Sequence, residues 1–230
     1  MELPTSQQFY ERFTEAARCH QAEIVQLDHG VSIARLGTGT RFAVVSGLHG
    51  DEPSGPLAIL RWFEETPPGS LTPEGQSLWV APLVNTLGWD ATNRTWTWGE
   101  VEKDLNRSFA AEHAPDFLKI LMGDLADPLP ALYLDLHEDY RMEAPYYFIY
   151  VHDTHDFSQR LAQAHAADLV EWQAYDEWHG ASETYIRQLG CAHATTTEAP
   201  GAWSVEQRTD WQLKTILWCQ DHLFDFAVAQ

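Results

Sequence analysis

A chain of 230 residues, 44% hydrophobic and 12% aromatic, is long enough to bury a sizeable core in one large domain and too apolar to stay disordered. The formal net charge is −20, and protonating all 11 histidines still leaves −9, so the basic footprint that nucleic acid or an anionic membrane demands is missing. Three scattered cysteines (Cys19, Cys191, Cys219) exclude a disulfide framework and a cysteine-rich zinc site.

From the first residue on, Met1-Glu2-Leu3-Pro4-Thr5 shows neither the basic nor the apolar region of a secretory signal. No run of about 18 apolar residues follows anywhere, so a soluble, cytoplasmic protein without a membrane partner is expected. Phe9, Phe13, Ala16 and Ala17 recur at helical spacing and predict an amphipathic helix over 6–20. Residues 24–36 read as a hairpin broken near Asp28-His29-Gly30, and Gly37-Thr38-Gly39-Thr40 as a second hairpin turn. The continuous apolar run 41–47 predicts a strand buried on both faces. A helix over 54–65 stops at Pro67-Pro68-Gly69, and a strand over 78–84 contains Pro82, which marks its end or an edge position.

Residues 85–107 are polar, aromatic and irregular, the profile of a long functional loop. A helix over 117–125, a strand over 131–136, a strand over 146–151 and a helix over 157–169 come next. A strand over 191–197 and a long helix over 205–226 close the chain, with Cys219 in the apolar face of that helix. Alternating strands and helices predict an α/β sandwich with a largely parallel or mixed sheet, and the absence of repeats and linkers predicts one domain over 1–230. Ten tryptophans are many for this length; Trp89, Trp96, Trp98, Trp172, Trp178 and Trp203 belong either to a large aromatic core or to the wall of a substrate cleft.

Three segments carry chemistry. Gly47-Leu48-His49-Gly50-Asp51-Glu52-Pro53 leaves a buried strand with a histidine and a carboxylate three residues apart, close enough to share one metal ion. Leu134-Asp135-Leu136-His137-Glu138 ends another apolar strand, and Thr195-Thr196-Thr197-Glu198-Ala199-Pro200 supplies a late glutamate. In open α/β sheets ligands collect beyond the carboxyl ends of the strands, so His49, Glu52 and His137 are expected at one edge. Two imidazoles and a carboxylate form the open ligand set of a catalytic zinc, which brings the pKa of water to about 7. Glu198 is then the candidate to take that proton and pass it to a leaving amine. Asp135 points to the same side of its strand as His137, either orienting a histidine ligand or making an ordinary buried hydrogen bond.

Taken in order, His49-Gly50-Asp51-Glu52, Asp104-Leu105-Asn106-Arg107-Ser108-Phe109, Asp135-Leu136-His137 and Thr197-Glu198 resemble the zinc carboxypeptidase superfamily over residues 42–226. That group includes the aspartoacylase and succinylglutamate desuccinylase branch and the murein-peptide amidases. The resemblance implies a three-layer α/β/α sandwich and one zinc ion held by His49, Glu52 and His137, with Glu198 as general base and acid. It further implies that Asn106 and Arg107 grip a substrate carboxylate and that Arg94 polarises the scissile carbonyl. A guanidinium fork suits bidentate carboxylate recognition, although Arg107 also has a structural ion pair with Asp104 or a nearby glutamate open to it. Tyr185 is the candidate for the tyrosine these enzymes place before the glutamate, with Tyr140 and Tyr175 as rivals.

Glu138-Asp139 depart from the pattern: they select an amino-bearing substrate, hold a second metal, or form a solvated turn. Only one predicted helix follows Glu198, where the aspartoacylase branch carries a further β-domain. The expected activity is therefore zinc-dependent cleavage of a peptide or amide bond next to a free carboxylate, on a small peptide or an acyl-amino acid. Deacylation of N-acyl amino acids and a catalytically silent metal-binding domain are the alternatives. His152 and His155 read as a surface turn, Cys191 as core, and neither a phosphate loop nor a serine-hydrolase elbow is present.

Overall fold

The computed structural model of the protein describes residues 3–109, 112, 114–150, 156–172 and 180–227. His152, His155, Tyr175 and Trp178, and the side chain of Trp172, lie outside them. Helix α1 (Ser6–Cys19) begins where Thr5 and Gln8 cap each other reciprocally, and buries Phe9, Phe13, Ala16 and Ala17. Strands β1 (Glu23–Gln26) and β2 (Ser32–Gly37) pair antiparallel across a 3-10 turn at Asp28–Gly30. The segment 37–40 does not close a hairpin, contrary to its glycine pattern. It leads to β3 (Thr40–Ser46), and after helix α2 (Ser54–Glu65) strand β4 (Gln76–Ala81) inserts between β2 and β3. A strand that crosses over through a helix returns parallel to its predecessor, and β4 pairs with β3 in that sense. Pro82 thus marks the end of β4, which sits inside the sheet.

The expected irregular stretch 85–107 contains helix α3 (Thr86–Ala91), the two-stranded ribbon β5 (Trp96–Trp98) and β6 (Val101–Lys103), and a 3-10 turn at Leu105–Arg107. Elements of three to six residues are too short to show a period. Helix α4 (Asp116–Ala126) precedes β7 (Leu132–Asp139), which runs past His137 where its apolar run stops. Strand β8 (Tyr146–Tyr150) follows, and helix α5 (Asp156–His165) ends early, at Ala166 with φ 50°, to release an unexpected strand β9 (Asp168–Trp172). A second unexpected element, helix α6 (Ser182–Gln188), leads into β10 (His193–Pro200). The terminal helix breaks at His222 into α7 (Val205–Asp221) and α8 (Leu223–Ala227).

The eight-stranded sheet has the order β1-β2-β4-β3-β7-β10-β8-β9, with β4, β3, β7 and β10 all parallel at its centre. Alternation along β3 feeds two cores. Phe42 and Val44 join Phe9, Phe13, Trp62 and Trp211 on the face covered by α1, α2 and α7, while Ala43 and Val45 join Tyr133, Leu121 and Ile186 on the face covered by α4 and α6. The result is a three-layer α/β/α sandwich with a mixed, largely parallel sheet. Burying Trp62 and Phe63, each 1% exposed, stabilises the first core by roughly 1.5–3 kcal/mol per side chain. Cys191 and Cys219 are both buried. No described helix is long and apolar enough to cross a membrane.

Candidate metal centre and cleft

The carboxyl ends of β3, β7 and β10 form one edge of the sheet. β3 stops at Ser46, and α2 starts at Ser54, so residues 47–53 make a tight turn at that edge. Asn85 N–H donates to the Gly47 carbonyl at 2.7 Å and holds the turn against α3. A Cβ on Gly50 would lie 2.0 Å from the Gly88 carbonyl carbon and 2.2 Å from the Trp89 nitrogen, so only glycine fits between His49 and Asp51. On the neighbouring strands His137 and Glu198 are direct register partners, which brings the second histidine and the late glutamate to the same level.

Three ligand atoms converge there. His49 Nδ1 lies 2.7 Å from Glu52 Oε1, His137 Nδ1 lies 2.8 Å from Glu52 Oε2, and the two Nδ1 atoms are 3.2 Å apart. Zinc–nitrogen bonds of about 2.0–2.1 Å at tetrahedral angles separate neighbouring ligand atoms by about 3.3 Å, so the two imidazoles are spaced to share an ion. Each histidine turns its other nitrogen to a carboxylate: His49 Nε2 is 3.1 Å from Asp104 Oδ1, and His137 Nε2 is 3.1 Å from Asp135 Oδ2. Nε2–H donation to these acids turns both Nδ1 atoms inward. Burial opposes the charge on Glu52, but His49 and His137 hold its carboxyl well below the usual range. Burial likewise opposes a proton on His137, yet Asp135 and Glu52 hold that proton well above the usual histidine range. A buried donor set of this charge, open on one side, fits a catalytic metal ion.

The open side is a cleft of about 640 Å³. Glu198 lines it, and its carboxylate has no hydrogen-bond partner among the described residues. Burial, the first cause, and then Glu52 and the nearby aspartates outweigh His137 and push its carboxyl well above the usual range. Arg94 lines it too, with Nη1 3.2 Å from Glu52 Oε1 and Nε 3.6 Å from Asp104 Oδ2. Asn106 is less free than its sequence suggests: its Oδ1 accepts from Ser182 N–H at 2.9 Å and its Nδ2 packs 3.1 Å from His137 Nε2. Arg107 faces the cleft while donating to the Asn106 carbonyl at 2.7 Å, and Asp104, which also meets His49 and Arg94, attracts its charge. Its loop is pinned to the start of α6 by the Phe109 N–H to Gly180 carbonyl bond of 3.0 Å.

Tyr185 lies outside the cleft, with its ring 6.1 Å from Phe109. Tyr140 and Tyr146 line the cleft instead, and Tyr146 is the register partner of Glu198 and donates to Asp139 Oδ2 at 2.8 Å. No described tryptophan lines the cleft: Trp89 and Trp96 are buried in the core and Trp98 is 58% exposed at the β5 ribbon. Sequence reasoning missed the contact of Asp104 with His49, the position of Tyr146, and the buried Glu183. A carboxylate opening the Asp104-Leu105-Asn106 turn was a usable signal for the first; the other two depend on strand and helix positions alone.

Glu138 is not part of a solvated turn. Its Oε1 accepts the Ser54 N–H at 2.6 Å, capping α2, and its Oε2 lies 3.1 Å from Arg208 Nε, with both side chains buried. Arg208 also donates to the carbonyls of Gly201 and Trp203. Asp139 accepts from Tyr146 and from Arg141 N–H, so both acids are committed to protein partners. Arg208→Met leaves Glu138 buried with one donor and is expected to cost about 3 kcal/mol of unfolding free energy at pH 7. Urea titration of the single variant and of Arg208→Met with Glu138→Gln measures it; a loss below about 1 kcal/mol would show the pair to be dispensable.

Residues 38–217 match the model of the succinylglutamate desuccinylase/aspartoacylase catalytic domain. No curated protein matches the sequence. Among solved structures, a metallo-carboxypeptidase from Pseudomonas aeruginosa in complex with (2-guanidinoethylmercapto)succinic acid superposes at TM-score 0.79 and 14% identity, covering 96% of this chain and 69% of its own. A proposed metallopeptidase from Shewanella amazonensis gives 0.77 at 20% identity, over 94% and 92%. Bovine thrombin-activatable fibrinolysis inhibitor, solved with tick carboxypeptidase inhibitor, gives 0.71 at 13% identity, over 97% and 98%. At these identities the structural likeness carries the fold.

Proposed function

The chain belongs to the succinylglutamate desuccinylase/aspartoacylase catalytic-domain family, and from that membership we propose that it is a zinc-dependent hydrolase cleaving an amide bond next to a free carboxylate. The observation that carries this reading is the convergence of buried His49, Glu52 and His137 in the same cleft that Glu198, Arg94 and Arg107 line. When bound there, one zinc ion would supply Lewis acidity and make water deprotonable near neutral pH.

The chain's own groups do the rest. Glu198, whose carboxyl has no hydrogen-bond partner among the described residues and holds a proton above the usual carboxylate range, takes a proton from water and delivers it to the leaving nitrogen. Arg107 binds the substrate carboxylate, which places the neighbouring amide against the ligand cluster. Arg94, beside Glu52, points a guanidinium at the carbonyl oxygen that gains charge in the transition state. Asp104 and Asp135 keep both histidines in the orientation that ligation needs.

Peptide trimming and N-acyl amino acid deacylation share this chemistry. The family match favours the acyl-amino acid, and the names of the structural neighbours favour the peptide. A panel of dipeptides and N-acyl amino acids decides between them. Hydrolysis of one class, lost with chelator and restored by zinc, is the expected outcome. No hydrolysis of any panel member by the zinc-loaded protein would sink the enzymatic reading and leave a metal-binding domain.

A further inference from the structure

Helix α7 lies under the sheet on the side away from the cleft, yet its buried face carries Arg208, Gln212 and Thr215 beside Trp211 and Ile216. Gln212 is fully buried, and its amide spans two strands. Nε2 donates to the His137 carbonyl of β7 at 2.8 Å, and Oε1 accepts from Thr197 Oγ1 of β10 at 2.7 Å. Arg208, one turn earlier on the same face, meets Glu138, the residue after His137. A buried glutamine loses side-chain entropy and hydration that an apolar residue of similar length would not. At this place the loss is offset by a link between the residue that carries a ligand nitrogen and the residue that precedes Glu198.

The link falls where position matters. His137 and Glu198 are register partners that both line the cleft. Successive residues of a strand face opposite sides, so Thr197 turns down to Gln212 while Glu198 enters the cleft. The Glu198 carboxylate has no hydrogen-bond partner among the described residues, so the backbone of β10 sets its place. On the other flank β10 pairs with β8 at two residues, Thr197 with Tyr147 and Glu198 with Tyr146. His137 in turn is held at its ring by Asp135 and at its carbonyl by Gln212.

We propose that Gln212 is a positioning residue that fixes the strand of His137 against the strand of Glu198, and so sets the metal ligand and the base at their working separation. The role of Glu198 as base rests on the hydrolytic reading; the link itself does not. Its test takes the full chain, with zinc affinity read by calorimetric competition against a chelator and kcat and KM read on the substrate that the panel identifies. Gln212→Met is expected to weaken zinc binding about tenfold or more, as loss of a ligand's outer partner does. It should also lower kcat about tenfold or more at unchanged KM, the signature of a misplaced reacting group. Gln220 provides the matched control: it is buried about 12 Å further along α7 and donates likewise to a carbonyl, that of Leu71. Gln220→Met should lower the Tm as Gln212→Met does, with zinc affinity and both kinetic constants unmoved. Thr197→Val cuts the link from the other strand and should lower kcat, whereas Thr197→Ser keeps the hydroxyl and the wild-type rate. Gln212→Met matching Gln220→Met in zinc affinity and kcat, or Thr197→Val as active as Thr197→Ser, would overturn the positioning role. Wild-type protein that binds zinc and hydrolyses nothing removes the hydrolase and leaves the zinc arm to decide. Affinity unmoved by Gln212→Met then removes the link as well, and weakened affinity sustains it.

Discussion

Glu198→Gln is expected to lower kcat by about 10²–10⁴-fold, the usual worth of a positioned general base, with metal content unchanged. The substitution is nearly isosteric and breaks no hydrogen bond among the described residues, because the Glu198 carboxylate makes none. It also removes the cost of burying a carboxylate beside Glu52, so thermal stability should hold or rise. A fall in kcat with wild-type zinc content and an unchanged or higher Tm therefore isolates the proton transfer from folding and from metal binding. Undiminished kcat would place the base elsewhere in the cleft, with Asp51 and Glu183 next in line.

His49→Ala and Glu52→Gln should each reduce bound metal from about one ion per chain to near none, and abolish turnover with it. Glu52 is central to the set, since its two oxygens face the two imidazoles and it also accepts from the Glu138 N–H at 3.1 Å. Glutamine keeps that last bond while giving up the charge, which makes loss of metal separable from loss of fold. Elemental analysis reads the first effect directly. Thermal unfolding reads the second: chelator should lower the Tm of the wild type, because a ligand at about 1,000 times its Kd contributes about 4 kcal/mol, and should leave both variants unmoved. Wild-type metal content in both variants would mean that the ion is held by other groups.

Much of the fold was legible along the chain because its central strands advertise themselves. The run 41–47 and the segment before His137 are apolar on both faces, as parallel strands under two helical layers must be. The capping pairs Thr5 with Gln8 and Ser204 with Gln207 mark the starts of the two flanking helices. Strand β9 and helix α6 stayed hidden, since five and seven residues carry too little periodicity to outweigh a turn. The crossing of β4 between β2 and β3 was hidden for a different reason: hydrogen-bond partners are chosen by the whole sheet, and a glycine-rich turn cannot report them.

The site divides along the same line. The sequence by itself determined which residue types are available: a histidine and glutamate three apart behind a strand, a histidine within another, and a late glutamate. Spacing in the chain sufficed because each motif is short and rigidly joined to its own element. The tertiary structure alone decided their company. It placed Tyr146 in register with Glu198 while leaving Tyr185 against Phe109, buried Glu138 against Arg208, and committed the Asn106 amide oxygen to the Ser182 N–H. It also set Glu183 into the cleft against the hydroxyls of Thr196 and Thr184. Hydrogen bonds and ion pairs act over about 3 Å, and neighbours at that distance are chosen by packing between elements far apart in the chain.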